Sequence, residues 1–285
     1  MMKLPTLTAG VILTLFSSFT PAGRVLVGAG AAPAKAVATA IPAGSRLRVP
    51  VLALLTPTER TSYLAAFEQH VARTYLRAGL TGAALPLPVY RQALLGFYNL
   101  QQRGQIEPGT RTLTIADFSQ SSNRERLWVV DVAAGRLLHH TLVAHGKNTG
   151  EEFARYFSNV EGSEKSSLGF YVTGPTYHGK HGLSLRLRGV DAGYNTNAHS
   201  RAIVVHGADY VSKAFVSRHG RLGRSQGCPA LPAPESAAII RTIKNGTVLY
   251  IHGPAQVSYR SALLELDAAL VAFARGQQRL ASQPG

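Results

Sequence analysis

The sequence predicts a mainly β domain of the α+β class, with flanking helices and a helical segment before it. Three observations support this prediction. From Arg111 onward, short apolar runs follow one another, separated by turn residues. Two segments with helical spacing of apolar residues precede these runs, and another ends the chain. With 285 residues and a hydrophobic content of 45%, the chain can bury a full core.

The helical segment is predicted over residues 56–107. Thr56-Pro57-Thr58-Glu59 has the pattern of a capping box with proline at the first helical position. A second helix is expected over residues 89–102, with Gly104 ending it. We expect these helices to pack against the domain without contributing chemistry. The apolar residues at helical spacing in the first helix are Leu64, Phe67, Val71 and Tyr75.

Seven strands and two later helices are predicted after this segment. The first of these helices covers residues 235–244, and the last runs from Tyr259 to about Arg275. The strands are expected over Thr112–Ala116, Leu127–Val132, Leu137–Val143, Phe170–Thr173, Leu183–Arg188, Ala202–His206 and Val248–His252.

The N-terminus has the layout of an export signal. Lys3 precedes an apolar stretch over residues 7–19, and small residues follow it, which is typical of a secretory signal peptide. Prolines and an arginine interrupt the stretch, so it is shorter than the ~18–20 apolar residues that a membrane span needs. We interpret residues 1–36 as signal peptide and leader and 37–55 as a linker. The mature chain is therefore expected in the periplasm or cell envelope, without a transmembrane helix.

The net charge of +15 predicts an anionic partner. Nucleic acid is disfavoured because the basic residues are dispersed and do not alternate with aromatic residues in a stacking stripe. An anionic cell envelope is the expected partner.

Cys228 is the single cysteine, and it follows Gly227 in the run 224–229. A lone cysteine forms no internal disulfide and makes a poor zinc site. It is either a small buried packing residue or a nucleophile. His206, 22 residues upstream, ends an apolar strand and is followed by Gly207, which would let the chain turn at once.

These residues suit nucleophilic catalysis. An imidazole within reach would take the thiol proton and create a thiolate–imidazolium pair. Backbone N–H groups around Gln226 and Gly227 could converge on an oxyanion. The group that orients His206 would be a backbone carbonyl, or less readily Asp191 or Asp209. The cysteine loop is expected between a strand and a helix.

Other histidines offer a competing zinc site. The candidate ligands are disfavoured because His178 and His181 are separated by glycine and lysine, which indicates a loop, and because acidic partners are scarce. No metal and no organic cofactor are expected. The histidines considered as ligands are His178, His181, His199 and His206, whereas His139, His140 and His145 are interpreted as surface or structural residues.

An ordered set of short motifs resembles the murein L,D-transpeptidase catalytic domain family. Two of these motifs are specific to the family: Ile203-Val204-Val205-His206-Gly207 and Ser225-Gln226-Gly227-Cys228. The other matching runs are Arg126–Asp131, Val143–Lys147, Phe157–Asn159, Ser166–Gly169 and Tyr177–Gly182. The family's better-studied members carry histidine before Gly-Cys, where this chain has Gln226. They carry arginine or asparagine soon after Gly-Cys, where this chain has Pro229 and Ala230.

The resemblance implies an L,D-transpeptidase-like β-sandwich or barrel core over residues 108–255, with a C-terminal helix and tail over 256–285. It implies a cysteine acyltransferase that acts on peptidoglycan tetrapeptide stems, with Cys228 as nucleophile and His206 as acid and base. Backbone amides of Gln226 and Gly227 would hold the oxyanion. Ser225, Arg224 and Tyr177 are the candidate substrate contacts.

Two alternatives to transpeptidation stay open at this point. Water in place of the acceptor amine would make the chain an L,D-carboxypeptidase of the same mechanism. A chain in which Cys228 is only packed would be a non-catalytic, basic cell-wall-binding protein. No residue pattern decides which acceptor is used.

Overall fold

A computed structural model describes residues 55–281, which lie in a single compact unit. The predicted signal peptide and all but the last residue of the predicted linker lie outside the described residues. Five α-helices and eight strands occur in the described part. The helices are α1 (Pro57–Arg77), α2 (Leu87–Gln102), α3 (Lys213–His219), α4 (Ala233–Ile243) and α5 (Leu266–Ala281). The strands are β1 (Thr112–Asp117), β2 (Glu125–Asp131), β3 (Arg136–Leu142), β4 (Gly169–Gly179), β5 (Gly182–Gly189), β6 (Val204–Ala208), β7 (Ala230–Pro232) and β8 (Val248–His252).

The strands form one mainly antiparallel sheet in the order β3-β2-β1-β8-β4-β5-β6-β7. β8 pairs in parallel with β1, and β7 in parallel with β6. The two edges of the sheet meet where Ala144, just beyond β3, exchanges both backbone hydrogen bonds with Ala230 at the start of β7. The sheet is therefore a nearly closed barrel, which confirms the predicted mainly β architecture.

The predicted capping box begins α1 as expected. Thr56 accepts a hydrogen bond from the Glu59 N–H, and the Glu59 carboxylate accepts one from the Thr56 N–H at 2.9 Å. These bonds satisfy backbone donors that the first helical turn would otherwise leave unpaired. The predicted second helix is confirmed as α2.

Three helices cover one face of the sheet. α1, α2 and α5 share a hydrophobic core with β1, β2, β4 and β8, in which Trp128, Phe170 and Tyr250 are fully buried. Gly96 of α2 allows this close packing, because a Cβ atom there would lie 2.0 Å from the Phe170 ring. The helical segment is thus an integral part of the domain.

A second core fills the interior of the barrel. It joins the inner residues of the strands to α4, including Ile239, Ile240 and Ile243. The buried guanidinium of Arg126 donates to the Val143 carbonyl and contacts His145 Nδ1 at 2.8 Å. The interpretation of His145 as a structural residue agrees with this contact.

The structure differs from the predicted elements at several points. β4 extends to Gly179 rather than Thr173, and β6 spans Val204–Ala208 rather than Ala202–His206, so His206 does not end its strand. α5 begins at Leu266 rather than Tyr259, because Tyr259 and Ser261 are held outside the helix by hydrogen bonds to Asp191. The short elements α3 and β7 were not predicted, since each is too brief to show a clear period. The cysteine loop consequently lies between α3 and β7, not between a strand and a helix.

Candidate active site

Cys228 lies in the loop before β7, and its side chain is partly buried. The sulfur accepts a hydrogen bond from the Val204 N–H at 3.5 Å. Its S–H points at the Ala202 carbonyl oxygen at 3.8 Å. Both contacts are with the chain that enters β6, so the thiol is held against the strand that carries His206.

His206 is the third residue of β6 and is 3% exposed. Its Nδ1 atom is 2.9 Å from the Gly207 carbonyl oxygen, and its ring stacks on that of His181 at a centroid distance of 4.3 Å. A carbonyl oxygen only accepts, so Nδ1 carries the proton and Nε2 is left as a base. Gly207 itself continues β6 opposite Leu231 and does not turn the chain as predicted.

The sheet register relates the two side chains. β6 and β7 run parallel, with His206 opposite Ala230. Cys228 precedes β7 by two residues, and its sulfur is bonded to the Val204 N–H, two residues before His206 in β6. The sulfur and the imidazole are each bonded to backbone groups rather than to each other within the described residues. Catalytic hydrogen bonds often tighten only when substrate binds.

Tyr177 lies on the same face of the sheet as His206. It is opposite Ser184 of β5, which is in turn opposite His206. Directly opposed residues point to the same side, so the half-buried Tyr177 ring stands two strands from the imidazole, roughly 10 Å away. The Arg186 guanidinium lies 4.6 Å from the centre of that ring.

The two acids considered as partners of His206 lie elsewhere. The buried Asp191 carboxylate accepts hydrogen bonds from the Phe170 N–H and from the hydroxyls of Tyr259 and Ser261, so it is not the orienting group. Asp209 is exposed. The backbone carbonyl of Gly207 takes that position, one of the alternatives that the sequence left open.

Ser225 shapes the cysteine loop from inside. Its buried hydroxyl donates to the Cys228 carbonyl at 2.6 Å and accepts from the Gly227 N–H at 3.1 Å. The Gly227 N–H, which the sequence predicted as an oxyanion donor, is therefore bonded to Ser225 instead. The N–H groups of Gln226 and Cys228 have no hydrogen-bond partner within residues 55–281, which leaves both available to an oxyanion.

Arg224 is also committed to protein contacts. One of its guanidinium nitrogens donates to the carbonyl oxygens of Lys147 and Gly150 and to the Glu151 carboxylate. Arg224 thus fastens the loop after β3 to the cysteine loop, and a substrate carboxylate would have to compete with Glu151 for it.

Gly146 and Gly227 allow the loop after β3 to lie directly against the cysteine loop. A Cβ atom on Gly146 would lie 2.8 Å from the Gly227 Cα and 2.5 Å from the Glu164 carbonyl oxygen. Ser166 joins both glycines, because its hydroxyl donates to the Gly227 carbonyl and accepts from the Gly146 N–H. Gly227 has φ +120°, a backbone conformation that other residues rarely adopt.

Arg201 was not assigned a role from the sequence, although it begins the run that contains His206. Its guanidinium donates to the carbonyl oxygens of Ser158 and Lys165 and to two serine hydroxyls. The signal that could have found it is a single arginine placed directly before an apolar strand that ends at the candidate base. Sequence alone does not say where its long side chain points.

Electrostatics disfavour a charged pair in the resting site. Burial raises the pKa of the Cys228 thiol, while the Val204 N–H and the charges of Arg201 and Lys180 act to lower it. Burial lowers the pKa of His206. A neutral thiol and a neutral imidazole are therefore favoured at neutral pH over the thiolate–imidazolium pair expected from the sequence.

The four histidines weighed as zinc ligands do not come together as a group, although two of them, His181 and His206, are in contact. His178 and His199 are exposed, and His181 forms part of the β4–β5 turn and stacks on His206. Within residues 55–281, no three His, Cys, Asp or Glu side chains are grouped so that they could hold a metal ion. In that same range, no helix is long and apolar enough to cross a membrane.

Comparisons with known proteins agree with the motif resemblance. Residues 82–252 match the model of the L,D-transpeptidase catalytic domain, which is more than half of the chain and includes α2 as well as the sheet. No curated protein matches the chain.

Several solved structures are similar to the chain at low identity. An L,D-transpeptidase from Mycobacterium smegmatis is 14% identical with a TM-score of 0.33, over 51% of this chain and 60% of that one. The helical cell shape determining protein Pgp2 from Campylobacter jejuni is 14% identical with a TM-score of 0.38, over 69% of this chain and 65% of that one. L,D-transpeptidase 3 from Mycobacterium tuberculosis is 12% identical with a TM-score of 0.33, over 50% of this chain and 62% of that one.

The chain therefore spans about 60–65% of the length of these solved structures. The family model carries the assignment, and the candidate nucleophile, base and loop glycines all fall within its boundaries. By that match, this chain belongs to the L,D-transpeptidase catalytic domain family.

Proposed function

We propose that the chain is an exported, cysteine-dependent peptidoglycan L,D-transpeptidase that acts on tetrapeptide stems without a metal or organic cofactor. One observation carries the proposal. Within the family domain, the Cys228 sulfur is bonded to the β6 backbone at Val204, two residues before His206, and the Gly207 carbonyl holds the imidazole with Nε2 available as a base.

The acylation step follows from this arrangement. The Cys228 sulfur attacks the carbonyl carbon that precedes the terminal D-alanine of the stem, while His206 Nε2 takes the thiol proton. The C–N bond breaks, His206 returns the proton to the nitrogen of D-alanine, and a thioester remains on Cys228. The free N–H groups of Gln226 and Cys228 would stabilise the oxyanion of the tetrahedral intermediate.

Deacylation uses the same base. An acceptor amine attacks the thioester carbonyl, loses a proton to His206 and becomes the new amide nitrogen, while the thiol is restored. Water in the same position would give hydrolysis. The exposed Gln226 side chain and Tyr177 are the groups we place beside the stem. Ser225 and Arg224 would act on the loop rather than on substrate, because their polar atoms already bond to the protein.

The +15 charge supports an anionic cell-envelope substrate, since stem peptides carry several carboxylates. Export to the periplasm or envelope rests on the leader-like residues 1–36 and is part of the proposal. Fractionation of cells that express the full chain, followed by N-terminal sequencing of the mature protein, tests it.

The main experiment is digestion of purified tetrapeptide muropeptides, analysed by mass spectrometry with and without an added amine. The wild type should release D-alanine and incorporate the amine. Cys228→Ala should abolish release, and His206→Gln should slow it by about 10²–10⁴-fold. His219→Gln, which changes an exposed histidine of α3, is the matched control and should keep wild-type turnover.

The other outcomes contradict the proposal in distinct ways. Release of D-alanine without amine incorporation identifies a carboxypeptidase. Binding to sedimented cell wall without any product from the wild type identifies a wall-binding protein. Turnover that resists thiol alkylation but is lost with chelators would point to metal chemistry.

A further inference from the structure

The Arg201 guanidinium lies directly beside the cysteine loop. A Cβ atom built on Gly227 would be 3.3 Å from Arg201 Nη2, so the guanidinium borders the residue that precedes the candidate nucleophile. Arg201 is partly buried there. The missing side chain of Gly227 is what lets the charge come this close.

All four hydrogen-bond acceptors of Arg201 are uncharged. Nη1 donates to the Ser158 carbonyl at 2.8 Å and to the Ser167 hydroxyl, and Nη2 donates to the Lys165 carbonyl at 2.6 Å and to the Ser163 hydroxyl at 3.2 Å. Within residues 55–281, no carboxylate lies within 4.0 Å of this guanidinium. Its positive charge is held in place but not neutralised.

Arg224, on the opposite side of the same loop, shows the contrast. Its guanidinium forms an ion pair with Glu151 at 2.7 Å. A partly buried cation without a counter-ion is unfavourable, and such groups concentrate where a site must hold a negative charge. Two adjoining groups can become negative, the Tyr171 hydroxyl and the Cys228 thiol, and burial raises the pKa of Tyr171 far above its ordinary value. The thiol is therefore the group that ionises more readily.

We propose that Arg201 is a positioning residue that stabilises the Cys228 thiolate, while its hydrogen bonds hold the segment 158–167 against the cysteine loop. This inference rests on the proposed function and deepens it. When the thiol proton passes to His206 Nε2, the sulfur keeps the Val204 N–H bond and gains the attraction of the guanidinium.

The charges around the sulfur support this role. Burial raises the pKa of Cys228, and Arg201 and Lys180 of the β4–β5 turn act to lower it. Burial lowers the pKa of Arg201, and the anionic forms of Tyr171 and then Cys228 act to raise it again. His206 and Tyr210 are the other titratable groups close to the thiol; burial raises the pKa of Tyr210 to about 12, with Cys228 adding to that shift.

The test measures thiol ionisation rather than turnover. The rate of Cys228 alkylation by iodoacetamide is recorded from pH 6 to 10.5 in the wild type, Arg201→Lys and Arg201→Gln. Arg201→Gln should move the midpoint up by about one pH unit, which lowers the rate at pH 7 about tenfold. Arg201→Lys keeps the charge and should stay within about threefold of the wild type at pH 7.

Two further variants separate charge from loop packing. Arg188→Gln removes an equal charge from the far end of β5, where Arg188 contacts Gln105, and should leave the midpoint unchanged. The double variant Ser163→Ala with Ser167→Ala removes two hydrogen bonds of Arg201 but keeps its charge, so its midpoint should also stay in place. This variant tests the inference even where Arg201→Gln does not fold.

Three results would overturn the inference. They are an unshifted midpoint in folded Arg201→Gln, an equal shift in Arg201→Lys and Arg201→Gln, and a shift in the double serine variant. Because alkylation needs no substrate, a wild type that releases no D-alanine would refute the proposed function and leave this result to be judged separately.

Discussion

The Ser225 hydroxyl is bonded to the carbonyl oxygen of Cys228, three residues later, at 2.6 Å. The Ser225 hydroxyl oxygen also accepts a hydrogen bond from the Gly227 N–H, so one buried serine is bonded to the loop on both sides of the glycine. The bend sets the direction in which the Gln226 and Cys228 N–H groups point. The serine of the motif therefore shapes the loop through its own two hydrogen bonds.

Ser225→Ala should lower both stability and turnover. Losing the hydroxyl leaves a buried carbonyl and a buried N–H without their partner, at a cost of about 1–3 kcal/mol in the free energy of unfolding. Urea unfolding and D-alanine release are the measurements. Ser217→Ala, at an exposed position of α3, is the control and should change neither. Normal turnover in Ser225→Ala would show that the loop keeps its geometry without these two hydrogen bonds.

Gly146→Ala should disrupt the site from the neighbouring loop. The new methyl group would meet backbone atoms of Glu164 and Gly227 at 2.5 and 2.8 Å, and backbone cannot move aside as a flexible side chain can. We expect a loss of about 1–3 kcal/mol in the free energy of unfolding and a larger fractional loss of turnover. Gly109→Ala is the matched control, because no atom lies within 4 Å of its added methyl group. Equal behaviour of the two variants would contradict the predicted clash.

The alkylation profile of the wild type should reveal a neutral resting thiol. Burial raises the pKa of Cys228 and lowers the pKa of His206, so little thiolate is present near pH 7. The alkylation rate should climb through neutral pH and level off only above about pH 8.5, the ordinary cysteine value. A peptide with the sequence of residues 224–230 provides the reference midpoint. A plateau already reached near pH 6 would instead indicate a thiolate–imidazolium pair.

Two buried histidines should destabilise the fold in acid. Burial lowers the pKa of His70 to about 4 and of His145 to about 3, against an unfolded value near 6.5. Between these limits the unfolded chain binds protons that the folded chain does not, so stability falls as the pH drops below 6.5. The slope is at most about 1.4 kcal/mol per pH unit for each histidine.

Urea unfolding at pH 7.0, 5.5 and 4.5 checks this slope. His70→Gln removes one of these titrating groups and should reduce the slope by at most about 1.4 kcal/mol per pH unit. His219→Gln, at an exposed position of α3, is the matched control and should leave the slope unchanged. A free energy of unfolding that is constant from pH 7.0 to 4.5 would contradict the assignment of these histidines as buried and neutral.

Patterns between residues close in the chain predicted much of the fold. The capping box at Thr56 and Glu59 needs only three residues of separation, and it begins α1 as expected. β8 was predicted with its observed bounds, because a short β-rich run between turn residues carries its own period. The start of α5 was wrong, since the buried Asp191 removes Tyr259 and Ser261 from the helical period by contacts 68 and 70 residues away.

By itself the sequence determined which two side chains could carry the chemistry, since Cys228 is the single thiol and His206 ends an apolar run beside a glycine. Tertiary structure alone decided how the loop uses its polar groups: the Gly227 N–H goes to Ser225, and Arg201 meets the Ser158 carbonyl 43 residues earlier in the chain. The physical reason is the distance along the chain over which each effect acts. Propensity and periodicity act over a few residues, whereas the partner of a long charged side chain depends on which distant segments the closed sheet brings together.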